Sequence, residues 1–209
     1  MFKRVVLAAL IASFVVPLAA QAPKGWKMRL DRSKSAQDPD DKSGVTFMAM
    51  GKGFHVAGGP AGVYWNPSTT AMGNFIAKGT FTLLKPSNHT NFYGLVFGGQ
   101  GLEGAEQRYT YFTVALDGTF LIKQRTGEMT RDIKAYTPSP AVKKPDATGK
   151  SVNVLEVRVS GDTITYVVNG TVVHTMAKAE LKAATDGVVG FRVNHVTEVQ
   201  VDDFGVQKS

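Results

Sequence analysis

The chain has 209 residues, with 24 Lys and Arg against 17 Asp and Glu, four His and no Cys. Without a thiol there is no disulfide framework, no lipid-modified cysteine and no cysteine nucleophile, so stability rests on an apolar core. The formal charge of +7 is scattered: no run of five basic residues, recognition helix or RNA-binding aromatic signature points to a nucleic acid. The excess is that of an ordinary solvated surface, of a sign that would also suit acidic polysaccharide.

The amino terminus reads as an export signal. Lys3 and Arg4 precede the apolar run Val5 to Val16, Pro17 breaks it, and Ala20-Gln21-Ala22 has the small-x-small form of a cleavage site. The run is too short to span a bilayer, which takes roughly 20 apolar residues, so removal is expected and no stable membrane insertion follows. This gives a leader over 1–22 and one domain over 23–209, in the periplasm or the medium. Pro23 disfavours the cut after Ala22 and leaves cleavage after Ala20 open. A chain of this size buries about 70% of its unfolded surface in a single domain.

Taken in order, Gly25 to Asp31 reads as a short strand and Arg32 to Ser43 as an exposed loop around Asp38-Pro39-Asp40-Asp41. Short strands follow at Val45 to Met50, Gly53 to Val56 and Ala61 to Trp65, and a longer one at Asn74 to Leu84. Phe92 to Phe97, Tyr109 to Leu116 and Thr119 to Arg125 form the centre of the domain. Because side chains alternate across the pleat, Phe112, Val114, Leu116, Phe120 and Ile122 take the core side. Tyr109, Tyr111, Lys123 and Arg125 then share the other side. Thr137 to Lys150, with three prolines, is a long loop. Val154 to Ser160, Thr163 to Val168, Thr171 to Met176, Gly187 to Asn194 and Thr197 to Val206 complete the strands, and Lys178 to Ala184 is the one helical turn. Gly161-Asp162 and Asn169-Gly170 are hairpin turns, since these residues accept the positive φ that tight turns demand. Many short strands with almost no helix predict an all-β, two-sheet antiparallel sandwich.

The order of Phe92-Tyr93-Gly94-Leu95-Val96-Phe97, Tyr111-Phe112-Thr113-Val114, Asp117-Gly118-Thr119-Phe120, Asn153-Val154-Leu155-Glu156-Val157, Val168-Asn169-Gly170, Gly187-Val188-Val189-Gly190-Phe191 and Val201-Asp202-Asp203-Phe204 resembles the concanavalin A-like lectin and glucanase superfamily. The last segment is similar to secreted 3-keto-disaccharide hydrolase-like domains and to laminin G-like and glucanase relatives. The resemblance implies a jelly roll of two curved sheets, and saccharide recognition or cleavage on the concave sheet or its rim.

The residues supply two functional readings. In the first, a non-catalytic domain holds a glycan on its concave sheet through Tyr109, Tyr111, Arg125 and Arg158, with Trp65 as a rim aromatic. Aromatic rings cover the apolar faces of sugars and guanidinium groups bond their hydroxyls. In the second, a glycoside hydrolase uses Glu156 as its acidic participant. The Glu-x-Asp-x-x-Glu pattern of the glucanases is absent, and Glu198 and Asp202 lie roughly 13 Å apart along one strand, beyond direct cooperation. His55, His89, His174 and His195 have no metal-ligand spacing. No Gly-x-Ser-x-Gly elbow occurs, and Gly98-Gly99-Gln100-Gly101 lacks the lysine of a phosphate loop. No cofactor is expected. A structural calcium would find hard oxygen ligands at Asp38, Asp40 and Asp41 or at Asp202 and Asp203.

Overall fold

The structure, a computed structural model, describes residues 22–31, 44–87 and 90–208. The strands are β1 (Lys27–Asp31), β2 (Thr46–Met50), β3 (Gly53–Ala57), β4 (Ala61–Ala71), β5 (Phe75–Lys85), β6 (Phe92–Gln100), β7 (Arg108–Ala115), β8 (Thr119–Thr126) and β9 (Met129–Pro138). After them come β10 (Ser151–Ser160), β11 (Thr163–Val168), β12 (Thr171–Ala177), the single turn of helix α1 (Lys178–Leu181), β13 (Gly187–Val193) and β14 (Glu198–Lys208). They build two seven-stranded antiparallel sheets, ordered β1-β4-β13-β6-β7-β8-β9 and β12-β11-β10-β5-β14-β3-β2. This is the jelly-roll sandwich expected from the sequence.

Alternation dictates the packing. Along β10, Leu155, Val157 and Val159 turn inward, and Phe112, Val114, Phe120 and Ile122 meet them from the first sheet. Trp26 closes one end of this core, its ring 4.2 Å from Phe54, 5.4 Å from Phe191 and 5.7 Å from Phe204. Ala22, the last residue of the expected leader, packs against the same core. Asn169 and Gly170 both have positive φ, 49° and 80°, as a two-residue hairpin turn requires. At Gly190 a β-carbon would stand 2.5 Å from the Tyr64 carbonyl oxygen, so only glycine lets β13 lie this close to β4.

The long loop after Pro138 is held from inside the sandwich. Fully buried Asn153 accepts the Lys143 backbone N–H at 2.8 Å and donates to the Lys143 carbonyl at 3.1 Å, while Asn169 donates to the Ala141 carbonyl at 2.8 Å. Two differences from the sequence reading stand out. β9 was not anticipated: Met-Thr-Arg-Asp-Ile-Lys-Ala-Tyr-Thr-Pro is mostly polar and exposed because it is an edge strand. β4 runs on to Ala71, well past the short strand expected to end at Trp65.

Candidate functional site on the outer face of the first sheet

Tyr109, Tyr111, Lys123 and Arg125 lie on the face of β7 and β8 opposite the core, as alternation requires, with Tyr109 opposite Arg125 and Tyr111 opposite Lys123. They do not stand in solvent. Tyr109 is 2% exposed, Tyr111 7% and Trp65 3%, and together with Val63, Phe92, Val96, Leu102, Ala115 and Leu121 they form a second apolar cluster outside the sandwich core. The open aromatic platform expected from the sequence is therefore corrected: these rings are packed, and what they present is a floor.

A charged group sits on that floor. Arg192 projects from β13 on the outer side, between inward-facing Phe191 and Val193. Its Nη1 donates to Asp31 Oδ2 at 2.6 Å and to the Tyr109 hydroxyl at 3.0 Å, and its Nε donates to Asn194 Oδ1 at 2.9 Å. The guanidinium carbon lies 5.2 Å from the Tyr111 ring centroid, within cation–π range. Arg125 Nη1 reaches the same oxygen, Asp31 Oδ2, at 3.0 Å, while its Nε donates to the Gly127 carbonyl at 2.9 Å. Burial works against the charged form of Arg192, but Tyr109, Asp31 and Tyr111 more than offset it and raise its pKa. Burial likewise lifts the Tyr109 and Tyr111 phenols, with Arg192 pulling the other way. Thr113 is fully buried on the same face, and its hydroxyl finds no partner among the described residues.

The Asp31–Arg125 contact also fixes the shape of the sheet. β1 and β8 are five strand spacings apart, about 24 Å in a flat sheet and further than the two side chains together reach. The first sheet must curl so that its outer face is concave. The segment between β6 and β7 folds back over this face: Lys27 Nζ pairs with Glu103 Oε1 at 2.6 Å, and Arg29 Nη1 donates to the Glu103 and Gly104 carbonyls at 3.1 and 2.6 Å. Two hollows of about 350 and 480 Å³ open beside that crossing, and Trp65 and Glu103 line both.

Four of the five expected binding residues, Trp65, Tyr109, Tyr111 and Arg125, are thus on one face. Arg158 is not. It lies on the outer face of the other sheet, where its Nε and Nη2 donate to Glu156 Oε2 at 2.9 and 2.6 Å and Lys78 Nζ stands 3.5 Å from Glu156 Oε1. Alternation correctly turned Glu156 and Arg158 outward but carried no information about which layer they belonged to. Glu156 is held between two cations, Lys78 and Arg158. The sequence reading missed Asp31 and Arg192. Outward parity within Gly187 to Asn194 singles out Arg192, whereas Asp31 carries no local signal.

Among the described residues no group of three or more His, Asp or Glu could hold a metal ion. Asp203 accepts from Thr80 Oγ1 at 3.4 Å, and Asp38, Asp40, Asp41 and His89 lie outside the described residues. His55 pairs with Glu198 at 2.9 Å and His174 stacks on Tyr166, so these two serve separate structural contacts.

No family model matches the sequence, and no curated protein is significantly similar to it. Solved structures are similar in fold. A carbohydrate-binding module of Bacillus subtilis superposes with a TM-score of 0.62 at 12% identity, over 88% of this chain and 96% of the module. A Bacillus subtilis protein of unknown function with a galectin-like fold gives 0.61 at 14% identity, over 88% and 90%. A Bacteroides ovatus mixed-linkage glucan GH16 protein in complex with its product gives 0.56 at 7% identity, over 87% and 93%. The chain therefore has the concanavalin A-like jelly-roll fold that its strand order resembles.

Proposed function

We propose that the protein is an exported carbohydrate-binding domain that holds a glycan on the concave outer face of its first sheet. Arg125 presents hydrogen-bond donors, Trp65 lines the two hollows beside the β6–β7 crossing, and Tyr109 and Tyr111 are the floor that fixes the guanidinium groups. The observation that carries this reading is the Asp31–Arg125–Arg192 cluster set on buried tyrosines, outside the sandwich core. A structural core gains nothing from two arginines on one carboxylate, whereas a hydroxyl-rich ligand needs rigid, pre-aligned donors. The fold shared with a carbohydrate-binding module and a glucan-complexed protein supports the same reading.

The test is a glycan array with mature protein. A hit is expected, weakened at least tenfold by Arg125→Ala and unchanged by Arg158→Ala; absence of binding to every envelope, plant and storage glycan would sink the proposal. Export is checked separately, by mass spectrometry of the protein recovered outside the cytoplasm. A mature start at Gln21 or Pro23 is expected, and an intact Met1 would contradict it.

A further inference from the structure

Among the described residues, the cluster on the concave face is short of negative charge. Two guanidinium groups converge on a single oxygen, Asp31 Oδ2, at 2.6 and 3.0 Å. The side chains of Arg192, Asp31 and Arg125 are 8%, 11% and 15% exposed, so one carboxylate balances two largely desolvated cations. Among the described residues Arg192 bonds to Asp31, Tyr109 and Asn194 through Nη1 and Nε, and Arg125 to Asp31 and Gly127 through Nη1 and Nε, so the Nη2 group of each donates to none of them. The surroundings do not correct the imbalance. Lys27 is matched by Glu103 and Lys123 by Asp132, but Arg29, in register with Arg192 through Val63, bonds among the described residues only to backbone carbonyls and keeps a buried Nε without a partner there.

A buried guanidinium without its full counter-charge is costly, and a planar carboxylate is the group that a pair of free N–H edges accepts best. We infer that the glycan held here is acidic, a uronate-containing saccharide whose carboxylate meets the free Nη2 edges of Arg125 and Arg192. This rests on the glycan-binding reading above and narrows it to a ligand class. Neutral sugars would supply hydroxyls to the same edges but leave the excess charge in place. The interaction, made near the mouth where Arg125 is reached from solvent, weakens as salt screens it.

The experiment measures binding of mature protein to galacturonate, glucuronate, mannuronate and guluronate oligosaccharides and to their methyl esters, at low and at physiological ionic strength. The esters keep shape and hydroxyls and lose only the charge. At least one acid is expected to bind tenfold or more tighter than its ester, less so at the higher salt. Arg125→Gln is expected to erase the preference while circular dichroism and melting stay close to wild type; wild-type protein alone already decides the acid-against-ester comparison. Equal binding of acids and esters, a preference for sulfated glycans over uronates, or an acid preference that survives Arg125→Gln overturns the inference and leaves glycan binding standing. Failure to bind any glycan on the array overturns the reading beneath it.

Discussion

The two outer faces of the sandwich obey one rule of alternation and end in opposite states. On the second sheet, Glu156, 13% exposed, sits between Lys78 and Arg158, whose side chains are each 43% exposed and reach water. On the first, the arginine of the central pair is 8% exposed and stands on tyrosines that are themselves buried. What differs is that the first sheet's outward positions carry Trp65, Tyr109, Tyr111 and Leu121, and the β6–β7 segment crosses back over that face and encloses it, whereas the second sheet's outward positions carry Lys78, Glu156 and Arg158. Charge on the solvated sheet is cheap and uninformative, whereas charge in the enclosed one must be matched, and the mismatch left over marks where a ligand belongs.

The largest effect that separates the two faces is the loss of their carboxylates. Asp31→Ala leaves two guanidinium groups facing each other without a counter-ion and is expected to cost about 3–5 kcal/mol, the usual penalty for stripping one partner from a buried ionic group. Glu156→Ala, which frees cations able to turn into water, should cost less than about 1 kcal/mol. Urea denaturation of the two variants measures both. Equal costs would mean that the first sheet's outer face is as wet as the second's, and the functional reading would lose its foundation.

Much of this arrangement was open to reading from the chain. Alternation around Phe112 separated the core side from the tyrosine side, and Asn169-Gly170 declared its hairpin because both residues take positive φ. Phe191 is fully buried and Phe204 packs against it at 5.5 Å, as expected of core anchors. The failures share one physical origin. Alternation tells in from out along a strand but not which of two layers the strand joins, so Arg158 was grouped with Arg125 although they sit on opposite sheets. Asp31 and Arg192 are 161 residues apart in sequence, and nothing local announces a contact made by curling a seven-stranded sheet. β9 escaped because this mostly exposed edge strand turns only Ile133 toward the core and so keeps no apolar rhythm.

A second prediction concerns the tyrosines. Tyr64, Tyr93 and Tyr166 lie in the sandwich core, Tyr109 and Tyr111 on the concave face, and burial raises the pKa of all five. A phenol whose folded pKa exceeds the unfolded value of about 10 stabilises the fold fully below that pH and loses the contribution as pH rises through the folded value. Stability is therefore expected to fall steeply above pH 10. In a Tyr136→Phe background, which removes the one exposed phenol, tyrosinate absorbance should appear only together with unfolding. Two phenols ionising ahead of the other three, in protein still folded by circular dichroism, would show that the concave face is open to water while the core is not.

The smallest effect belongs to the second sheet. His174 on β12 stacks against Tyr166 with ring centroids 5.9 Å apart, and its pKa is lowered by partial burial and by Lys134, with Glu180 opposing them. A depressed histidine favours the fold above its unfolded pKa of about 6.5, and the contribution is lost as pH falls through the folded value, because the unfolded chain binds the proton more readily. A shallow decline in stability below pH 6.5 is expected, and His174→Gln should flatten it. The concave-face cluster, on the opposite sheet from His174, should hold its ligand through the same interval. If glycan affinity instead falls in step with the histidine-dependent decline, the two faces are coupled through the core, and the contrast drawn between them is one of degree.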